Sequence, residues 1–231
     1  TRGAHRWGRG TEGEDRPCLV KLYTYFRSSA AFRVRIALNL KRLSYEPQFV
    51  HLARGDHRRP EYGALNPQAL VPALADEGDL LTQSLAIIEY LEEKHPTPAL
   101  LPKDLLGRAR VRSLALLIAC EIHPLNNLRA LQYLVNEFGH SEQDKNKWYQ
   151  HWIGDGMAKL EADLMHGPRK GRFCHGDTPT VADCCLVPQV FNAQRFNCDL
   201  THASTVLRIF EECMKLDAFQ RAQPSRQPDA E

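Results

Sequence analysis

The chain has 231 residues and no run of about 18 apolar ones, so no segment reads as a membrane-spanning helix. The opening stretch TRGAHRWGRGTEGEDRP lacks the apolar centre of a secretory signal, and residues 1–17 are expected to form a polar, disordered extension. An excess of one charge is missing too. Thirty Lys and Arg against 28 Asp and Glu leave a formal net charge of +2, too balanced for an electrostatic footprint on nucleic acid or anionic lipid. The seven cysteines are odd in number and form no Cys-x-x-Cys pair, and the ten histidines include no His-Glu-x-x-His. Dithiol redox chemistry and a bound metal are therefore not expected, and a reducing cytosol is the expected compartment. Repeats and low-complexity tracts are absent as well.

What remains is a globular composition, 43% hydrophobic and 25% charged, long enough for one large domain or two modest ones. From Cys18 to about Leu101 the pattern alternates. CLVKLYTY and YEPQFVHL read as strands, VPALAD and DLLT as a short hairpin, and SSAAFRVRIALNLK and QSLAIIEYLEEKH as helices. The order is β-α-β followed by β-β-α. PTPALLP, residues 96–102, cannot continue a helix and reads as a linker. Strand signals then vanish, and long helical periodicity takes over in the segments from Asp104, Ser141 and Thr180 and in shorter ones through Phe219. Pro124 is expected to interrupt the first of these helices. Thr180-x-x-Asp183 is a capping-box variant, read as a folding device, and the adjacent Cys184 and Cys185 as small apolar filling. An α/β unit over 18–101 followed by an all-helical unit over 102–231 puts the default ligand site in the crevice between them.

Three short motifs carry chemistry. Ser28-Ser29 stand where a strand hands over to a helix, and the exposed amides and dipole of a helix start favour an anion such as a thiolate or carboxylate there. A simple N-cap is the alternative. Val71-Pro72 leads into a strand; a cis bond at Pro72 would leave the Val71 amide and carbonyl free to pair with a peptide-like ligand, although most such bonds are trans. Gln83-Ser84 precede another helix and offer an amide, a hydroxyl and helix-start N–H groups to a carboxylate, or again only a cap.

In this order, the three motifs resemble the glutathione site of the cytosolic glutathione transferases. YFRSSAAFRVRIALNLK, ALNPQALVPAL, QSLAIIEYLEEKHPTPALLP, IHPLNNLRALQYL and DCCLVPQVFNAQRF are similar, in register, to the zeta class. The resemblance covers about residues 18–225 and implies a thioredoxin-like first domain, a helical second domain and a homodimer. It also implies that Ser28 and Ser29 approach the sulfur of glutathione, Val71 and Pro72 pair with its cysteinyl backbone, and Gln83 and Ser84 hold its γ-glutamyl carboxylate. His51 and His57 would lie on the loop facing the glycyl end. Asn126 and Asn127 match positions near the tripeptide, and His123 would orient glutathione or substrate. Arg27, Arg129 and Arg195 match arginines that surround the substrate, and guanidinium groups suit a dicarboxylate because they stay charged and bind oxygens bidentately.

The activity so implied is glutathione-dependent cis–trans isomerisation of a maleyl dicarboxylate in aromatic or tyrosine catabolism, maleylacetoacetate to fumarylacetoacetate or the corresponding maleylpyruvate reaction. Glutathione would be the nucleophile, with Arg27, Ser28 and Ser29 the catalytic set. Zeta-class sequences often read Ser-Ser-Cys where this chain has Ser28-Ser29-Ala30, which speaks against a protein thiol at that place. Glutathione transfer or dehalogenation of small α-halo acids is the alternative chemistry, and a non-catalytic interaction module is the alternative class.

Overall fold

The computed structural model describes residues 20–167 and 171–231; Cys18 and the 1–17 extension lie outside them. Alternation in VKLYT buries Leu22 and Thr24 on one face and makes β1 (Val20–Thr24), an inner strand of a four-stranded sheet ordered β2-β1-β3-β4. β2 (Tyr45–Phe49) runs parallel to β1 after the crossover through α1 (Ser29–Leu40). As an edge strand it tolerates Pro47, which has no N–H to give a further neighbour. β3 (Ala73–Asp76) and β4 (Asp79–Thr82) form the expected antiparallel hairpin. Glu77 and Gly78 both take positive φ at its turn, the combination whose twist matches that of paired strands. A six-residue helix, α2 (Pro60–Leu65), was not legible in the sequence; α3 (Ser84–Lys94) was.

Among the described residues six helices follow: α4 (Leu105–Leu116), α5 (Leu128–Asn136), α6 (Glu142–His166), α7 (Val181–Arg195), α8 (Ser204–Met214) and α9 (Asp217–Ala222). The interruption expected at Pro124 begins earlier than that residue. A π-helical turn over Leu117–Ile122 and a 3₁₀ turn over His123–Asn126 separate α4 from α5. Trp148 of α6 fastens this irregular stretch by donating to the Leu125 carbonyl at 2.7 Å. At the start of α7 the Asp183 carboxylate is fully buried and accepts from the Thr180 amide at 2.7 Å, the Thr180 hydroxyl at 2.8 Å and the Cys174 amide at 2.9 Å. The box thus caps a helix and also pins the preceding loop. Cys184 and Cys185 are fully buried among apolar side chains, as filling. One apolar cluster extends from Leu22 and Ile36 through Val111 and Ile153 to Leu186, continuous between the α/β part and the helices.

Helix α1 is buried nearly all round, and it carries charges inside. Arg35 has no exposed surface. Its Nε donates to the Ala222 carbonyl at 3.1 Å, one Nη to the Thr24 hydroxyl at 3.1 Å and the Tyr25 carbonyl at 3.3 Å, and the other Nη to the Phe26 carbonyl at 3.1 Å. Burial pushes its pKa down to about 10, with Tyr45 and the Asp229 carboxylate offsetting part of the effect, still far above neutrality. At the other end of the helix Lys41 donates to Glu92 at 2.6 Å and to the His95 and Pro98 carbonyls at 2.6 and 3.0 Å, while Glu92 accepts the Leu100 and Leu101 amides at 2.9 and 3.1 Å. The 96–102 linker is therefore fastened from both sides.

Removing the Arg35 guanidinium takes the donor from the Ala222 and Phe26 carbonyls and the Thr24 hydroxyl, while the Tyr25 carbonyl keeps the Ser28 amide at 3.0 Å; each buried group left unpaired costs about 1–3 kcal/mol. Arg35→Ala is expected to lower stability by at least about 3 kcal/mol. Arg35→Lys should recover only a minor part, because an ammonium cannot span four acceptors. Urea midpoints with an unchanged slope would measure both; an Arg35→Lys midpoint equal to that of the unsubstituted chain would refute the clamp.

Candidate functional site

A cavity of about 530 Å³ opens between the strand–helix junctions of the α/β part and the π-helical turn, α5 and α7 of the helical part. Each wall follows from a local feature of the chain. On one side β1 ends and the chain turns at Tyr25–Arg27 into α1, whose N-cap is Ser28. The Ser28 hydroxyl accepts the Ala31 amide at 3.2 Å and its carbonyl accepts that of Phe32 at 2.8 Å, leaving the amides of Ser29 and Ala30 at the cavity wall. The Ser29 hydroxyl is buried and accepts from Asn192 of α7 at 2.5 Å. Both serines keep a hydroxyl proton to donate, so both readings of this motif hold together: Ser28 caps the helix, and the pair still faces the cavity.

The Val71-Pro72 bond is cis, and Val71 lies just before the β3 ladder at the cavity wall. Gln83 takes φ +69°, a left-handed value that a glutamine adopts at some cost, and this turn presents Ser84 at the start of α3. The Gln83 amide donates to the Gln68 side chain at 2.7 Å, and Gln68 donates in turn to the Thr82 hydroxyl at 3.2 Å. The Ser84 hydroxyl is buried and accepts from Arg33 at 3.3 Å.

Three further expected residues, His123, Asn126 and Asn127, come from the irregular stretch after α4. Asn126 donates to the Tyr149 carbonyl at 3.2 Å, and Asn127 caps α5 by accepting the Arg129 amide at 3.2 Å. The His123 imidazole pKa is pushed down to about 3, first by burial and then by the positive charges of Arg33 and Arg129. It is a neutral donor and acceptor at physiological pH.

Arg27, Arg129 and Arg195 all line the cavity, and none has a carboxylate partner among the described residues. Arg27 and Arg195 lie over the rings of Phe26 and Phe196, at 4.9 and 4.7 Å from the ring centres. The Arg195 pKa is lowered by burial, an effect to which Arg27 adds. Two expected residues lie elsewhere. His51 and His57 are not among the lining residues; His51 pairs with Glu231 at 3.1 Å, packs edge-on to Tyr25, and accepts the Arg54 amide, while its neighbours Leu52 and Ala53 reach the wall.

Several lining residues escaped the sequence reading. Arg33, one turn along α1 from Ser29, is only 2% exposed, and its Nε and one Nη have no hydrogen-bond partner. Tyr149 stacks on Phe196 at 3.9 Å with its pKa raised by burial, and Tyr25, Cys120 and Asn192 complete the set. The i, i+4 spacing of Ser29 and Arg33, and the i, i+3 spacing of Asn192 and Arg195, were the available signals. The lining contains four arginines and no Asp or Glu. Such a wall selects small anions. Among the described residues no cluster of His, Cys, Asp or Glu is placed to hold a metal ion, and no helix is long and apolar enough to cross a membrane.

The comparisons agree with this geometry. Residues 22–99 match the family model of the glutathione S-transferase N-terminal domain. A maleylpyruvate isomerase of Ralstonia sp is 51% identical over 211 residues, covering 91% of this chain and 100% of that one. The holo structure of a maleylpyruvate isomerase, described as a bacterial zeta-class glutathione S-transferase, superposes with TM-score 0.90 at 51% identity, over 91% of this chain and 100% of the other. A maleylacetoacetate isomerase from Methylobacterium extorquens, solved with malonate and glutathione bound, gives TM-score 0.89 at 44% identity, over 91% and 99% of the two chains.

The depressed His123 pKa gives a direct test. An exposed imidazole titrates near about 6.5, whereas the ring resonances of His123 are expected to stay fixed from pH 8 to 5 and to move only toward about 3. The unfolded chain would bind this proton at higher pH than the folded one. The stabilisation tied to neutral His123 is then complete above about pH 6.5 and lost as pH falls toward about 3. A His123 midpoint near 6.5 by NMR would contradict the buried, arginine-flanked placement.

Proposed function

The chain belongs to the zeta class of the glutathione transferases, and we propose that it is a glutathione-dependent cis–trans isomerase of a maleyl dicarboxylate, maleylacetoacetate first and maleylpyruvate second. The observation that carries this reading is the lining of four arginines without a single carboxylate. The residues present fit glutathione. Two helix starts face one cavity, each with a serine hydroxyl beside it, and a buried arginine there has unpaired donors. When bound, glutathione supplies a thiol whose reversible addition turns the cis double bond into a single bond free to rotate.

In this reading residues 18–101 form the unit that holds glutathione and residues 102–231 the unit that completes the substrate site. Ser28 and Ser29, with the amides at the start of α1, would favour a sulfur anion over a thiol, because donors aimed at the charge lower its cost. Val71 and Pro72 would receive the peptide backbone, and Gln83 with Ser84 the glutamyl carboxylate. Asn126, Asn127 and the neutral His123 would donate to ligand oxygens without adding charge. Arg27, Arg129 and Arg195 would hold the substrate's carboxylates and offset negative charge developing on its carbonyl oxygen. His51 and His57 would approach the glycyl end only through the loop that carries Leu52 and Ala53. The protein would work as a cytosolic homodimer, and the exposed Leu105–Leu106 pair at the head of α4 is apolar surface that a second copy would cover.

Spectrophotometric assay of both maleyl substrates, with and without glutathione, tests the reaction; no glutathione-dependent isomerisation of either would end the proposal. Arg27→Ala is expected to lower kcat/KM by about 10- to 100-fold, the worth of a charge-assisted contact. Ser28→Ala should cost about 100-fold, in kcat more than in KM for the substrate, with a parallel melting curve to separate out the lost cap. Sedimentation velocity tests the assembly separately, with a species of twice the chain mass expected and a monomer at micromolar concentration counting against it.

A further inference from the structure

Of the cysteines among the described residues, Cys174, Cys184, Cys185 and Cys213 are buried with their thiol pKa values raised by burial, and Cys198 is half-buried with its pKa raised to about 11 by the same cause. Cys120 alone is exposed, and it lines the cavity from the π-helical turn between α4 and α5. Ala119 and Cys120 of the π turn and His123 of the 3₁₀ turn that follows all reach the wall. The second, independent observation is Arg33. Buried to 98%, it lines the same cavity with two nitrogens unpartnered, and it lies close enough to Cys120 to feel a charge on that sulfur.

We propose that Cys120 is a covalent modification site for small electrophiles that carry a carboxylate, drawn to the thiol by the arginines of the cavity. A carboxylate entering a wall with four guanidinium groups and no acid meets attraction that a neutral reagent does not, so its concentration at the sulfur rises. Arg33 has free donors for such a carboxylate. With iodoacetate the balance is simple. The thiolate sulfur forms a bond to the methylene carbon, the carbon–iodine bond breaks with its electron pair leaving as iodide, and the thiol proton goes to solvent. The chain would then hold a fixed negative charge where the substrate's carboxylate belongs, and the cavity would be blocked. This inference rests on reading the cavity as an anion site and needs no isomerase activity.

The experiment compares iodoacetate with iodoacetamide on the native full chain, with the label located by peptide mass spectrometry. Iodoacetate should label Cys120 before any other cysteine. Its rate relative to iodoacetamide should be at least about tenfold above the same ratio for a short peptide spanning Leu117–Ile122, an advantage of the size a partly exposed charge pair provides. Succinate, an unreactive dicarboxylate, should slow the labelling, a check that needs no variant. Arg33→Met should reduce the charge preference and Arg33→Lys retain more of it, and Cys120→Ser should carry no label at the fastest phase. A ratio equal to the peptide's, no protection by succinate, or first labelling elsewhere would each overturn the proposal. Charge-selective labelling in a protein that isomerises neither maleyl substrate would sink the proposed function and leave this inference standing; isomerisation without selective labelling would do the reverse.

Discussion

The buried guanidinium of Arg35 is the constraint on which the site's geometry depends. It binds three consecutive residues at the exit of β1, Thr24, Tyr25 and Phe26, and with its remaining nitrogen the last residue of α9. The next three positions are Arg27, Ser28 and Ser29. Backbone amides already serve the Thr24 and Tyr25 carbonyls, but the Phe26 carbonyl would otherwise have to turn to water, and water there would loosen the wall of the cavity. Drawing those carbonyls inward onto one rigid planar group leaves Arg27 exposed and fixes the direction in which α1 begins. The C-terminal tail adds to the same turn, because Asp229 accepts the Phe26 amide at 2.9 Å.

Helix α1 extends this logic along its length. Ser29 reaches α7 through Asn192, Arg33 reaches α3 through Ser84, Asn39 reaches the Ala218 carbonyl of α9 at 2.9 Å, and Lys41 reaches the linker through Glu92. Every one of these bonds joins α1 to a different part of the chain or to a distant residue, and each polar group is satisfied where burial would otherwise penalise it. Arg33 is the exception, with two nitrogens unpaired, and it borders the cavity together with Ser29. Within a single helix, then, Arg35, Asn39 and Lys41 hold the scaffold, while Arg33 keeps unpaired donors at the cavity wall.

Much of this was legible in the sequence. Periodicity and Pro-rich punctuation gave the β-α-β-β-β-α order and the shift to helices after residue 102, and the Ser28-Ser29, Val71-Pro72 and Gln83-Ser84 motifs do face one cavity. These signals are local, since a helix start or an X-Pro bond is written in two or three adjacent letters. The unread residues are those whose meaning is set by distant partners. Arg33 and Arg35 stand two apart in one helix and look alike as letters, yet one is saturated by carbonyls and the other is open. His51 was read from its loop, but Glu231, 180 residues away, takes its ring. The π turn has no single-residue signature; Pro124 marked an interruption without giving its form or its start at Leu117.

The π turn also bears on the missing thiol. Ala30 and Ala31 remove sulfur from the helix start where Ser28 and Ser29 stand, so nothing in the protein competes for the donors there. Of the remaining cysteines, burial raises the pKa of five and keeps them as thiols, a consequence of packing sulfur as a small apolar group. Among the described residues only Cys120 faces the cavity, from the π turn. A nucleophile delivered by a bound tripeptide leaves with that tripeptide, whereas a nucleophile in the chain is consumed once by any electrophile it traps. Ala119 and Cys120 of the π turn and His123 of the adjoining 3₁₀ turn line one cavity, so a single irregular stretch of backbone places a thiol and an imidazole on the same wall.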